Sequence, residues 1–283
     1  MPVSAGILYV IATPIGNLED ISSRATYLLD QADLIMAEDT RHSKKLLTHL
    51  GIKTPMKSCH DFNEREVTPQ ILQRLEAGEK IALISDAGTP LISDPGFHLV
   101  RAALERGIRV VPIPGPSAAI AALSVAGLPV DRFVFEGFLP EKTVARRKIM
   151  QGLSEEMRTL IFYEVPHRIV AFIEDAARIF GAGRMAVLAR ELTKQYETIR
   201  CGTLGDLLED LQSGEIPQKG EFVVVLSGSP TKQGADETDV QRILKILSST
   251  SLTMKEQVSI TAEISGVRRN EVYKLALQLK NRS

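Results

Sequence analysis

Through the first 115 residues, short apolar runs alternate with longer stretches of helical periodicity. Runs at 7–12, 33–37, 55–59, 80–84 and 109–112 read as strands. Between the third and fourth, Val67, Ile71, Leu72 and Leu75 fall on one helical stripe. Asn63 is placed to cap that helix, Glu66 stands at the capping-box position and Gly78 is placed to end it. Strand and helix in alternation imply a mostly parallel sheet with helices on its faces. After Pro116 the pattern changes. Phe133–Glu136, Thr159–Tyr163, Met185–Ala189, Glu197–Cys201 and Glu221–Ser227 read as strands, with helices near 143–154 and 167–180. Antiparallel pairing of 197–201 with 221–227 is expected, which makes a mixed sheet. The boundary between the halves falls at 113–117. A polar stretch, 229–239, reads as a linker, and 239–249 and 254–280 as helices broken at Gly266. The expected organisation is 1–115, 116–230 and a helical tail over 236–283.

Three strands run into stiff loops. Ile7–Ile11 leads into Ala12-Thr-Pro-Ile-Gly-Asn17, Ile81–Ile84 into Ser85-Asp-Ala-Gly-Thr-Pro-Leu-Ile-Ser-Asp-Pro-Gly96, and Val110–Ile113 into Pro114-Gly-Pro-Ser-Ala118. Open α/β sheets hold ligands at such strand ends. Gly88 lets backbone approach a ligand, and Pro90 and Pro95 stiffen the loop that Asp86 and Asp94 bracket. Neither Gly-x-Gly-x-x-Gly nor a Gly-Lys-Ser/Thr P-loop is present, so the known nucleotide cradles are missing.

The chain has 283 residues, 44% of them hydrophobic, enough for two cored domains. A net charge of −1 gives no global field for nucleic acid, although local basic patches remain. Cys59 and Cys201 lack metal-ligand spacing. No apolar run reaches the roughly 18 residues that span a bilayer, and the N-terminus lacks a signal-peptide pattern. These features predict a soluble, cytoplasmic protein.

Eight segments, in order, carry a resemblance: Ala12–Asp20, Ala37–Arg41, Ser85–Gly96, Pro114–Ala118, Glu136–Pro140, Phe162–Arg168, Ala189–Lys194 and Lys219–Glu221. Together they closely resemble the tetrapyrrole methylase superfamily, in its branch that modifies small-subunit ribosomal RNA. The resemblance implies two α/β domains with S-adenosylmethionine in the cleft between them, a small helical tail, and a homodimer. It implies 2′-O-methylation of a cytidine ribose in small-subunit (16S) ribosomal RNA. Carried over by position, it puts Pro14, Ala87, Gly88, Thr89, Ile92, Ser117, Ala118 and Tyr163 or Glu164 at the cofactor. Where relatives have the acid of Gly-Gly-Asp this chain has Thr89, with Asp86 three residues earlier. Which acid meets the methionine amine stays open.

Methyl transfer to a ribose hydroxyl needs in-line positioning and a base or polariser; no metal is required. Among polar residues on loops after strands, Glu38, Arg41, Glu191 and Lys194 are the catalytic candidates. Lys194 is expected to lower the hydroxyl pKa, or to act as a base if its own pKa is depressed. The cations Arg146, Arg147 and Lys148, with Arg268, Arg269 and Lys274 in a tail where residues 252–283 hold six Lys/Arg against three Glu, are candidate contacts to RNA phosphates. The rival readings are a tetrapyrrole C-methyltransferase, a metal-dependent phosphohydrolase using Asp39, Asp86 and Asp94, and a ribosome-assembly binder without catalysis.

Overall fold

The computed structural model describes residues 6–230 and 237–280. They form two compact units, 1–227 and 228–283. The linker expected at 229–239 lies largely outside the described residues.

The first unit holds two five-stranded sheets. In the first sheet, β1 (Ile7–Ile11), β2 (Leu34–Ala37), β3 (Met56–Ser58), β4 (Lys80–Ile84) and β5 (Arg109–Ile113) run parallel in the order β3-β2-β4-β1-β5. The strands are apolar on both faces because helices cover both. One face packs Leu8, Leu83 and Ile81 with α3 (Glu64–Glu76) and α4 (Phe97–Glu105). The other packs Ile11, Ile35 and Ile84 with α1 (Ser23–Asp30) and α2 (Thr40–His49).

The stripe Val67, Ile71, Leu72 and Leu75 is buried as its spacing requires, and Gly78 follows the helix with φ of 98°. The capping box does not form. Asn63 is the N-cap residue, but its Oδ1 accepts from the His60 amide (2.8 Å) and its Nδ2 donates to Ser58, closing the preceding turn.

The second sheet contains β6 (Phe133–Phe138), β7 (Thr159–Glu164), β8 (Met185–Arg190), β9 (Thr198–Thr203) and β10 (Phe222–Leu226), in the order β6-β7-β10-β8-β9. It is mixed: β6 and β7 are parallel, the other pairs antiparallel. The expected pairing of 197–201 with 221–227 is corrected, since β8 lies between them. β10 is buried at every position because it is central, whereas β9 is an edge strand. α6 (Thr143–Gly152), α7 (Ile169–Phe180) and α8 (Leu204–Ser213) fill one face around Phe162, Phe172 and Leu207. α5 (Ala118–Val125) covers the other with Ala119, Ala122 and Leu123. Ile15, from the loop after β1, packs into that same cluster.

The second unit is three helices, α9 (Glu237–Ser248), α10 (Met254–Ser265) and α11 (Arg269–Lys280), around Val240, Leu244, Val258 and Val272. Thr253 and Glu256 form a capping box on α10, and left-handed Gly266 ends it, at the break the sequence places there. Among the described residues, no helix is long and apolar enough to cross a membrane.

Candidate active site

Backbone bonds set the frame of the site. Thr13 and Gly88 exchange two, at 2.8 and 3.0 Å, joining the loops after β1 and β4. Thr13 Oγ1 donates to the Ser85 carbonyl (3.1 Å), and Thr89 Oγ1 to the Pro116 carbonyl (3.0 Å), drawing in the loop after β5. Gly88 has φ of 84°, a conformation that L side chains rarely adopt. From the second sheet, Tyr163 Oη accepts from the Ala119 amide at the start of α5 (3.1 Å). β6 bulges at Gly137, where φ is 61° and a Cβ would lie 2.9 Å from Ser93 Oγ. That close approach seats the β4 loop against the second sheet, with Phe138 at the cleft.

The result is a cavity of about 280 Å³ lined from both sheets. Glu38, Asp86, Asp94, Glu164 and Glu221 are its acids. Ile15, Ile92, Phe138, Leu192 and Val223 supply apolar walls, and Ala87, Gly88, Ser117 and Ala118 bring small residues to its surface. Among the described residues, four non-glycine residues are left-handed, two in each of two loops: Leu91 and Ser93 beside Asp94, and Glu191 and Thr193 in the loop after β8. Such backbone costs about 1–3 kcal/mol per residue and clusters where function demands a fixed shape.

The acids are cross-braced. Asp86 Oδ1 accepts from the Asp39 amide (3.0 Å), and Glu38 Oε2 from the Asp86 amide (3.4 Å). Burial lifts the Glu38 carboxyl above its ordinary range; the Asp86 amide opposes the rise, and the charges of Asp86 and Asp61 add to it. Burial pushes Asp94 up to about 7, with Glu38, Asp86 and Asp61 contributing against a hydrogen bond from Ser85. Burial also raises the Tyr163 phenol. Among the described residues, no group of three or more His, Cys, Asp or Glu side chains is arranged to hold a metal ion.

Residues 7–208 match the tetrapyrrole (corrin/porphyrin) methylases, and residues 234–280 match the RsmI C-terminal HTH domain. The chain is 53% identical to ribosomal RNA small subunit methyltransferase I of Pseudomonas aeruginosa, over 99% of this chain and 100% of that protein. It is 49% identical to the protein of the same name from Escherichia coli O157:H7, over 97% and 96%. The chain belongs to the ribosomal RNA small subunit methyltransferase I family. Solved tetrapyrrole methylase folds agree in architecture. Diphthine synthase superposes with a TM-score of 0.59 at 16% identity, covering 78% of this chain and 90% of that one. Uroporphyrin-III C-methyltransferase from Thermus thermophilus, in a complex with S-adenosylhomocysteine, gives 0.54 at 17%, covering 78% and 97%.

Against this family frame, the residues expected at the cofactor fall together. Asp86, Ala87, Gly88, Thr89, Ile92, Ser117, Ala118, Tyr163 and Glu164 all line the cavity. Pro14 is buried between Thr13 and Ile15 and does not line it. Glu164 is 1% exposed and its carboxylate is engaged by Arg168 (2.8 and 3.1 Å), so its side chain is committed to the fold. Glu38 lines the cavity. Glu191 and Lys194 meet at its edge, where Lys194 Nζ donates to Glu191 (2.8 Å) and to the cavity-lining Glu221 (3.0 Å). The reading of Lys194 as a base is corrected. Burial alone would lower its pKa, but its two carboxylate partners raise it, so the ammonium persists. Arg41 is exposed and held by Asp39 through two hydrogen bonds (3.1 and 2.8 Å).

Among the cations expected to meet RNA phosphates, Arg146 is corrected. It is 3% exposed, and Nε and Nη2 both bond Asp175 (2.9 and 2.6 Å), so it braces α6 against α7. Arg147 shares that carboxylate and is partly exposed, while Lys148 is fully on the surface. In the second unit Arg268, Arg269 and Lys274 are exposed. The sequence reading did not assign Ser93, Phe138, Leu192, Val223 or Glu221 to the site; all but Val223 lay within the recognised motifs, and Asp94 entered only the phosphohydrolase reading.

Proposed function

We propose that this chain transfers a methyl group from S-adenosylmethionine to a ribose 2′-hydroxyl, that of a cytidine, in small-subunit ribosomal RNA. The observation that carries the reading is the acidic, backbone-lined cleft in a chain matched end to end by small-subunit rRNA methyltransferases. The cleft suits the donor. Glu38, Asp86 and Asp94 present negative charge to a ligand carrying an ammonium and a sulfonium. The apolar walls suit an adenosyl group, and a side chain at position 88 would fill space the bare backbone leaves. S-adenosylmethionine supplies an electrophilic methyl carbon.

The protein's own part is positioning and proton management. Asp86, braced on the Asp39 amide, and the backbone from Ala87 to Thr89 hold one side of the cleft. Ile92 and Phe138 exclude water from it. Asp94, whose carboxyl titrates near neutrality, is suited to take the hydroxyl proton, and Glu38 stands beside it. Lys194 holds Glu191 and Glu221 in place as a fixed cation. Lys148, Arg268, Arg269 and Lys274 are surface cations that suit phosphate. Homodimerisation is part of the same reading: α5 is apolar on all sides yet leaves Ile120 and Val125 half exposed. A cytoplasmic setting follows from the substrate.

Labelled methyl transfer to small subunits lacking modification, followed by mapping of the labelled nucleotide, tests the proposal. Label on one cytidine 2′-oxygen is the expected result. Label on a base, or transfer only to a tetrapyrrole, overturns it.

A further inference from the structure

Phe62 is 97% exposed, in a hydrogen-bonded turn. The turn after β3 is tied by Asn63, whose Oδ1 accepts from the His60 amide and whose Nδ2 donates to Ser58, and by backbone bonds from Asn63 and Glu64 to the His60 carbonyl (3.0 and 2.9 Å). These bonds fix the backbone from which the ring projects. His60 packs edge-on to it, with ring centres 6.1 Å apart. Buried Glu64 accepts from the Leu99 amide (2.9 Å), and Arg65 Nε meets His98 Nε2 (3.4 Å), so the starts of α3 and α4 are laced side by side. Phe97, also exposed, stands edge-on to His98 at 5.5 Å. The shelf lies at the carboxyl end of the first sheet: Phe97 opens α4 directly after the loop that carries the cavity-lining Asp94, and the charge of Asp61, next to Phe62, acts on both Glu38 and Asp94.

A rigid shelf of open aromatic faces is costly in water unless something covers it. Charge indicates what. Among the described residues, Arg65 on this shelf has no carboxylate partner. Aromatic faces beside an unpaired guanidinium suit single-stranded nucleic acid, whose bases stack while a phosphate meets the cation. We propose that this shelf seats the RNA strand beside the modified nucleotide, with Phe62 stacking on a neighbouring base. The inference rests on the reading of the cleft as an rRNA methyltransferase site. Phe62 and Phe97 are positioning residues that fix where the strand enters.

The test is steady-state methylation of unmodified small subunits by the full-length protein and its Phe62→Ala, Phe62→Trp and Phe97→Ala variants, with donor affinity measured separately. Phe62→Ala is expected to raise KM for subunits about tenfold, the worth of one lost base stack. Turnover, donor affinity and melting temperature stay at wild-type values, and Phe62→Trp restores KM. An unchanged KM in Phe62→Ala overturns the shelf. A wild-type enzyme that transfers no methyl to subunits instead overturns the function it rests on. A benzoylphenylalanine introduced in place of Phe62 and photolysed on the subunit decides the partner. A crosslink to RNA near the methylated nucleotide supports the proposal; a crosslink only to a ribosomal protein, or to a second copy of this chain, overturns it.

Discussion

Asp94 binds its proton more tightly in the folded protein than in the unfolded chain, where a carboxyl of this kind titrates near 3.8 rather than about 7. Between those values the native state holds a proton that the unfolded state has lost. Stability of the ligand-free protein therefore falls as pH rises from about 4 to about 7, then levels. Urea denaturation across that range should show the decline, and Asp94→Asn should flatten it. The same variant should lower turnover by about 10²–10⁴, the usual worth of a positioned proton acceptor, and remove the rise of rate with pH near neutrality. Lys194→Met should behave differently. With its ammonium held by Glu191 and Glu221, its loss should slow turnover by roughly tenfold, short of the loss of a base, and leave the pH–rate profile unshifted. A shifted profile would restore Lys194 as a base.

At the scale of elements, α6 shows how far polarity misleads. Its run of cations reads as a set of contacts to RNA phosphates, yet Arg146 is turned inward onto Asp175 and Lys148 outward. Arg146→Ala should destabilise the protein, by less than the roughly 3–5 kcal/mol of a buried charge left with no partner because Arg147 still meets Asp175, and leave the salt dependence of subunit binding unaltered. Lys148→Ala should do the reverse, reducing the salt slope by about one at unchanged stability. Thermal melts and binding titrations over a salt series separate the two. Strand positions were legible because β1–β5 are short apolar runs with turn residues at both ends. The order of the second sheet was not: β9 and β10 each carry a strand pattern, but nothing local records that β8 lies between them. The cap of α3 failed for a similar reason, because Asn63 had a competing partner in the turn at His60.

For the whole molecule, the loops that line the cavity from the first sheet were legible as a set because three strand ends of one parallel sheet must share an edge. Phe138, Leu192 and Val223 were not, since they come from the second sheet, whose meeting with the first is written in no local pattern. The helical tail has its own core and its own capping box. A protein ending at residue 230 should keep the fold and donor affinity of the first unit while binding small subunits more weakly, with a smaller salt slope, as loss of Arg268, Arg269 and Lys274 implies. Equal subunit affinity with and without the tail would assign it some other task.

The left-handed residues Leu91, Ser93, Glu191 and Thr193 have a practical consequence for anyone seeking a hardier enzyme. Glycine fits such backbone without steric penalty, so Ser93→Gly or Thr193→Gly should relieve about 1 kcal/mol of conformational strain each, in part offset by the greater freedom of the unfolded chain. Thermal tolerance and catalytic rate are then set against each other at the same few peptide units. A screen for heat resistance would tend to loosen the loops on which the chemistry depends.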